Sequence, residues 1–223
     1  MQAIEKQLIV GLDLSLRSTG ITFSYLENFE GKKIEFYRLV YETKPRPIQN
    51  INQETYTKPT NISIDDLLVF VDDTTDMALD DITNQEQADI TLRTMICAKR
   101  IHMIIERAIQ KYNPDTVYFC IENFIMPSFA GKRQLAKTVS LIMLQGYVRS
   151  NIIRMKIDPR RSFKNVLLML VTPTALKKFF TNNGRAEKPE MLKSFLENYG
   201  GGKLLPDNDH GKIDDVIDSF ALM

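Results

Sequence analysis

The stretch QLIVGLDLSLRSTG, residues 7–20, decides the fold, because its apolar and β-branched run ends in a single acid, Asp13. Such a run predicts a strand from about Gln7 to Asp13. An acid at the end of a strand is positioned by the sheet, and its side chain reaches the space beyond the strand. The simpler alternative is that Asp13 opens a turn and accepts a hydrogen bond from its own backbone.

A second acid, Glu122, ends another apolar run, which we interpret as a buried strand from Thr116 to Glu122. An ionised carboxylate in such surroundings is costly unless it is paired or binds a cation. The alternative is a strand whose end reaches the protein surface. Glu122 is therefore a candidate ligand, but it indicates a cation site only if other acids lie close to it.

A third acidic segment, Asp214-Asp215-Val216-Ile217-Asp218, opens the last predicted helix, which begins near Lys212. Asp215 and Asp218 are three residues apart and share one helix face. Asp214 and Asp218 are four apart and form an equivalent pair, so the partner of Asp218 is either Asp214 or Asp215. Acids in a first helical turn also interact favourably with the helix dipole, which is the competing explanation.

Jointly, the three acidic segments describe a site for a hard divalent cation. Mg²⁺ takes oxygen ligands, usually keeps several waters and bridges substrate phosphates. Two such ions about 3.5–4 Å apart can activate a water and stabilise the leaving oxygen of a phosphodiester. The pattern therefore predicts phosphodiester hydrolysis without a covalent protein nucleophile.

The rest of the chain has the pattern of one α/β domain, residues 1–223, with an insertion. Further strands are predicted at about 20–25, 34–40 and 166–172, and helices at about 88–111, 134–152, 173–180 and 188–199. Residues 41–84 combine a proline-rich polar loop with part of an acidic stretch, which we interpret as the insertion.

The formal net charge of +1 conceals two segments of opposite charge. Residues 65–90 contain nine acids and no Lys or Arg, whereas residues 131–164 contain nine basic residues and one acid. The basic segment predicts a face that displaces counterions from a phosphate backbone. A charged face that is merely solvated is the alternative.

Composition excludes several classes of protein. The longest apolar run, residues 166–171, is too short to cross a bilayer, and the N-terminal sequence has no signal-peptide pattern, so we expect a cytoplasmic protein without a membrane partner. Two cysteines, Cys97 and Cys120, are too few for a disulfide framework or a zinc site, and both are predicted to lie in the core.

The order of these motifs resembles the RuvC-type Holliday junction resolvases of the ribonuclease H-like superfamily. The family's Asp-bearing first strand is similar to residues 11–20, and its helix, Pro-Asp turn and Glu-ended strand are similar to residues 101–122. Its lysine segment resembles residues 177–188, and its final Asp-x-x-Asp resembles residues 215–222. The resemblance implies a mixed five-stranded sheet flanked by helices, and it assigns the metal ligands to Asp13, Glu122, Asp215 and Asp218.

The resemblance further implies a homodimer that nicks a four-way DNA junction with two Mg²⁺ ions, or with Mn²⁺ in their place. Lys188 would hold a phosphate in the active site, and Phe124 matches a family aromatic that packs against junction bases. The other side chains predicted to contact DNA are Lys132, Arg133, Lys137, Lys178 and Arg185. Ordinary surface lysines and a core phenylalanine are the alternatives. The insertion has no counterpart in the compact bacterial enzymes and would suit a phage or another large virus.

Three rivals remain. A sugar-kinase or actin-like ATPase shares this type of core but needs a second phosphate loop and an adenosine-binding Gly-Gly segment. The cluster at residues 200–202 is followed by no such pattern, so we expect no nucleotide cofactor. A non-catalytic DNA-binding protein would be expected to have lost a ligand, and all four acids are present. Cleavage of RNA-DNA hybrids or flaps uses the same metal site and stays open.

Overall fold

Seven strands and five helices are formed by the residues that the computed structural model describes, namely 4–15, 18–40, 62–64, 67–73, 86–123, 132–161, 163–199 and 214–223. The strands are β1 (Lys6–Asp13), β2 (Ser18–Glu27), β3 (Glu30–Val40), β4 (Ile62–Ile64), β5 (Leu67–Asp73), β6 (Thr116–Glu122) and β7 (Asn165–Val171). The helices are α1 (Glu86–Tyr112), α2 (Lys132–Ile157), α3 (Pro173–Thr181), α4 (Lys188–Asn198) and α5 (Asp214–Leu222).

The strands form one mixed sheet in the order β4-β5-β3-β2-β1-β6-β7. The first three strands pair antiparallel as a meander, and β6 and β7 then add in parallel on the other side of β1. Parallel neighbours need a crossover connection, and α1 and α2 supply it. The predicted α/β class is confirmed: a mixed sheet is flanked by helices on both faces.

The sheet has two strands more than the five predicted. Both come from the insertion: β5 pairs in parallel with β3, and β4 pairs antiparallel with β5. The run Leu67-Leu68-Val69-Phe70-Val71 has the apolar, β-branched pattern of a strand, but the acids on both sides of it obscure that pattern in the sequence. The remainder of the insertion lies outside the described residues, so the role of its acidic block stays open.

The core has two parts, one on each face of the sheet. Alternating residues of β1, such as Leu8, Val10 and Leu12, pack under α1 and α2, while the other face packs against α3, α4 and α5. Each fully buried large apolar side chain contributes about 1.5–3 kcal/mol. Cys97 and Cys120 are both buried and unbridged, as predicted. No helix among the described residues is long and apolar enough to span a membrane.

One buried carboxylate, Glu35, connects the sheet to helix α1. Glu35 of β3 is fully buried and accepts hydrogen bonds from Lys111, from the Tyr112 hydroxyl at 2.6 Å and from the Tyr37 hydroxyl at 3.1 Å. Burial acts to raise the pKa of Glu35, but the hydrogen bonds from Lys111 and Tyr112 outweigh it and lower the pKa. The end of α1 is therefore fixed to the sheet by a satisfied buried carboxylate.

Candidate active site

Two of the predicted acids lie together at the carboxyl ends of neighbouring parallel strands. Because β1 and β6 are parallel neighbours with Leu12 opposite Ile121, their final residues, Asp13 and Glu122, lie side by side at the carboxyl ends. The turn after β1 is closed by Thr19, whose hydroxyl donates to the Ser15 carbonyl at 2.8 Å and accepts from the Ser15 amide at 3.2 Å. Thr19 thus performs the turn-closing role that was the alternative for Asp13.

Helix α5 brings the third acidic segment to this edge, and two glycines make its close approach possible. A Cβ atom at Gly20 would lie 1.8 Å from the carbonyl oxygen of Asp215, and one at Gly11 would lie 2.0 Å from that of Ser219. Any larger residue at either position would push the helix off the sheet. The Ser219 and Thr22 hydroxyls share a hydrogen bond of 2.7 Å, which fixes the helix along its axis.

The acids lie close enough to change one another's protonation. Burial raises the pKa of Asp13 well above its ordinary range, and the charges of Asp218, Glu122 and Asp215 add to the effect. The positive charge of Lys188 acts on the pKa of Asp13 in the opposite direction. The structure therefore brings together the four acids that the sequence singled out, from three separate elements.

Glu122 and Asp218 show the same behaviour. Burial raises the pKa of Glu122, with a further contribution from Asp218 and an opposing one from Lys177. Burial also raises the pKa of Asp218 to about 6, with Asp214 adding to the rise and Lys188 opposing it. Perturbed carboxylates gathered in one place are typical of functional sites, because a merely structural arrangement would pair each acid with a cation.

Lys188 stands beside the acids at the first position of α4. A reciprocal capping box between Glu187 and Glu190 holds this end of the helix. The Lys188 ammonium forms an ion pair with Asp214, and this hydrogen bond raises the pKa of Lys188 above its ordinary value. Asp214 is therefore engaged by a lysine, whereas Asp215 is buried against the sheet.

A second lysine, Lys177, was missed by the sequence reasoning, which favoured the adjacent Lys178. The charge of Lys177 acts on the pKa of both Glu122 and Asp218, whereas Lys178 is exposed on α3. Leu176 and Phe180 form the buried face of α3. Their packing fixes the rotation of the helix about its axis, and in that rotation Lys177 faces the acids. The spacing of the apolar residues Leu176 and Phe180 was the sequence signal that could have identified Lys177.

The other predicted DNA contacts are spread over several elements. Lys178 and Arg185 are exposed. Lys132, Arg133 and Lys137 belong to the first turns of α2, but their side chains lie outside the described part of the chain, as does all of Phe124. Within the basic segment, three residues are engaged in ion pairs, Arg160 with Asp158, Arg161 with Glu106 and Lys164 with Asp115. Fewer basic side chains of this segment are therefore available to contact phosphates than the count of nine in the sequence implies.

The donor set can be compared with the needs of Mg²⁺. In the part of the chain that the structure describes, no three Asp, Glu, His or Cys side chains come close enough to enclose an ion by themselves. Mg²⁺ is usually held by one or two carboxylates together with waters and substrate phosphates, so an all-protein cage is not required. The acids offer only oxygen donors, and their mutual repulsion would be relieved by a cation. The residues therefore fit this metal.

Comparison of the chain with known proteins gave structural similarity only. No protein family and no curated protein matches its sequence. The RuvC structure from Thermus thermophilus is 12% identical with a TM-score of 0.45, over 96% of this chain and 90% of that one. The yeast mitochondrial Holliday junction resolvase is 14% identical with a TM-score of 0.46, over 96% and 75%. Thermus thermophilus RuvC in complex with a Holliday junction substrate is 12% identical with a TM-score of 0.45, over 96% and 89%. At such low similarity, the chemistry of the site has to be argued from its own residues.

Proposed function

We propose that this protein is a Mg²⁺-dependent endonuclease that cleaves branched DNA, with the four-way junction as its substrate. The observation that carries the proposal is the convergence of Asp13, Glu122, Asp215 and Asp218, from β1, β6 and α5. The pKa values of Asp13, Glu122 and Asp218 are all raised, and the neighbouring acids contribute to each rise. A cluster of buried acids that repel one another is costly for folding. The binding of cations would explain why these acids are gathered at the carboxyl ends of β1 and β6.

Each group then has a definite role. Asp13, Glu122, Asp218 and Asp215 would hold Mg²⁺, for which Mn²⁺ can substitute, and the metal supplies an activated water and neutralises charge on the phosphate. The exposed ammonium of Lys188 is placed to hold a phosphate oxygen next to the acids. Lys177 reduces the net negative charge that an incoming phosphate meets. Protein carboxylates serve as ligands, so no covalent intermediate forms.

Branched DNA is proposed as the substrate because of the ordered motifs that resemble the RuvC-type resolvases. The exposed basic side chains on α3 and in the loop before α4, Lys178 and Arg185, would contact phosphates of the DNA backbone. A homodimer would place two such sites on one junction, which symmetric nicking requires. The choice of junction over RNA-DNA hybrid or flap is the part of the proposal that experiment must decide first.

The experiment is cleavage of three labelled substrates, a four-way junction, a linear duplex of the same sequence and an RNA-DNA hybrid, in Mg²⁺ and in EDTA. We expect paired nicks in the junction alone and only in Mg²⁺. Cutting of the hybrid instead would assign the protein to ribonuclease H activity. Binding of the junction without any cutting in Mg²⁺ would favour the non-catalytic DNA-binding protein.

Matched variants test the site itself. Asp13→Asn and Glu122→Gln should abolish cleavage while leaving junction binding measurable, because they remove a ligand charge and keep the shape of the side chain. Glu197→Gln makes the same chemical change at an exposed position on α4 and should cleave like the wild type. Loss of cleavage in all three variants would point to a folding defect, and retention in the first two would exclude this site.

A further inference from the structure

Helix α2 carries a buried polar residue on its core-facing side. Leu144, Val148 and Ile152 lie on that side and belong to the hydrophobic core. Gln145 lies among them and is 7% exposed, at a position where the helical spacing favours an apolar residue. A glutamine is rarely buried unless its amide has hydrogen-bond partners. The partners of Gln145 therefore indicate why a polar side chain is kept there.

One partner of Gln145 lies in the candidate active site. The Gln145 side chain donates a hydrogen bond from Nε2 to the backbone carbonyl oxygen of Glu122, at 2.9 Å. Glu122 is the last residue of β6, and the pairing of β6 with β1 ends one residue earlier. On the other side of β6, the Asn123 amide donates to the Val171 carbonyl at 2.6 Å. Gln145 thus holds the end of β6 beyond the point where pairing with β1 stops.

A second side chain fixes the orientation of the Gln145 amide. Arg149, one helical turn further along α2, donates from Nη2 to Gln145 Oε1 at 2.8 Å. A guanidinium only donates and a backbone carbonyl only accepts, so the amide satisfies both only with Oε1 towards Arg149 and Nε2 towards Glu122. In the part of the chain that the structure describes, the buried Nε of Arg149 has no hydrogen-bond partner. Arg149 thus keeps its contact with Gln145 in a position that leaves one of its own donors unsatisfied, which is costly.

We propose that Gln145 is a positioning residue for the Glu122 carboxylate and that Arg149 acts through it. Gln145 contacts the backbone of Glu122 rather than its carboxylate. The side chains of a metal site have to be held within about 0.5 Å of the productive geometry, and the direction of a side chain depends on its own backbone. Helix α2 therefore decides where the second acid of the site lies. The consequence for cation binding rests on the proposed function, whereas the support of the β6 backbone does not.

Hydrogen exchange of backbone amides, followed by NMR on the full chain in EDTA, tests the support of β6. Gln145→Met keeps the length of the side chain and removes its donor, so the end of β6 should open more often. The Asn123 amide should then exchange about tenfold faster, the effect of losing one hydrogen bond. The Phe119 amide, in the middle of β6, should change less than about twofold, because it does not take part in this local opening. Gln110→Met makes the same chemical change at an exposed position on α1 and should leave both rates as in the wild type.

Variants of Arg149 test the second step. Arg149→Met removes the donor that orients the amide, so the Gln145 amide becomes free to turn its oxygen towards the Glu122 carbonyl. Exchange at Asn123 should accelerate about threefold, less than in Gln145→Met, because the donor is still present for part of the time. Arg149→Lys keeps a cationic donor for Oε1 and should restore the exchange rate of the wild type.

Cation binding gives a readout that a general loss of stability would not reproduce. Removing a residue that orients a metal ligand typically weakens metal binding by about 10–100-fold. Electron paramagnetic resonance of free Mn²⁺, with no DNA present, should therefore show an affinity at least about tenfold weaker for Gln145→Met than for the wild type or Gln110→Met. In junction cleavage, kcat should fall while KM for the junction stays the same, because Gln145 is buried and does not reach DNA.

Three results would overturn the inference. They are an unchanged exchange rate at Asn123 in Gln145→Met, an equal acceleration at Asn123 and Phe119, and a Gln145→Met variant that binds Mn²⁺ as tightly as a wild type that binds it. An Arg149→Lys variant that exchanges as fast as Arg149→Met would exclude the role of Arg149. A wild type that binds no Mn²⁺ or cuts no junction would count against the proposed function alone, since exchange at Asn123 decides the support of β6 without metal or DNA.

Discussion

Replacing Asp218 with asparagine should make the metal-free protein more stable at neutral pH. Burial and the charge of Asp214 raise the pKa of Asp218 from 3.8 to about 6. The folded chain therefore binds a proton at Asp218 more tightly than the unfolded chain does. An asparagine has a similar shape and no charge, so it avoids the cost of an ionised carboxylate in this position.

The sign and size follow from that pKa. Below pH 3.8, Asp218 is protonated in both states and costs nothing. As the pH rises towards 6, only the unfolded chain loses the proton, so the free energy of unfolding falls. Above pH 6 the loss is complete, at about 3 kcal/mol for about two pKa units. Because water reaches part of the side chain, we expect a gain of about 1–3 kcal/mol for Asp218→Asn.

The assay is urea unfolding of the wild type and of Asp218→Asn in EDTA, at pH 4 and at pH 7.5. The two proteins should be close in stability at pH 4, and the variant should be the more stable one at pH 7.5. Adding Mg²⁺ at pH 7.5 should stabilise the wild type more than the variant, because binding to the folded state adds stability and the variant lacks a ligand charge.

Asp158→Asn is the control with the opposite sign. Hydrogen bonds from Arg160 lower the pKa of Asp158 to about 2, so its ionised form stabilises the folded chain. Neutralising it should reduce stability at pH 7.5, and this difference should shrink as the pH falls through 3.8 towards 2. If Asp218→Asn destabilises the protein at pH 7.5, or if its effect is the same at both pH values, the acidic cluster is not strained in the way argued above.

Three further perturbations have definite outcomes. Gly20→Ala should cost roughly 2–3 kcal/mol in thermal unfolding and abolish cleavage, because its Cβ would meet the backbone of α5, whereas Gly31→Ala has open space and should be neutral. Glu35→Gln should cost about 3 kcal/mol at pH 7 by breaking a buried ion pair, and this cost should shrink below the ordinary pKa of 4.5, where protonation of the wild type removes the same stabilisation. Lys188→Ala should weaken junction binding and lower its salt slope by about one, while Lys193→Ala, exposed on the same helix, should leave both unchanged.

Much of the fold could be predicted from local patterns. The apolar runs that end in Asp13 and Glu122 are strands with nearly the predicted bounds, and the helices begin and end within a few residues of their predicted positions, apart from α2, which extends to Ile157. These features depend on neighbours within one turn or one strand, which the sequence displays directly. The acids could be selected because charge at the end of a buried strand is unusual enough to need a reason.

Other features depend on contacts between distant segments. The strand β5 was hidden by its acidic surroundings and is defined by pairing with β3. Lys177 and Lys178 are equivalent in the sequence, and the packing of α3 turns only Lys177 towards the acids. In such cases the local pattern permits several structures, and burial of apolar surface elsewhere selects one of them.

By itself, the sequence determined the α/β class, the order of the helices and of five of the seven described strands, and the choice of the four acids as candidates. Tertiary structure decided how these acids meet. Gly11 and Gly20 look unremarkable in the sequence, yet they allow α5 to lie directly on the sheet and bring Asp215 and Asp218 beside Asp13. Likewise, Asp214 pairs with Lys188, while Asp215 is buried. The reason is physical. The close approach of α5 to strands some two hundred residues away, and the ion pair between Lys188 and Asp214, 26 residues apart, depend on how whole layers pack, which no local pattern records.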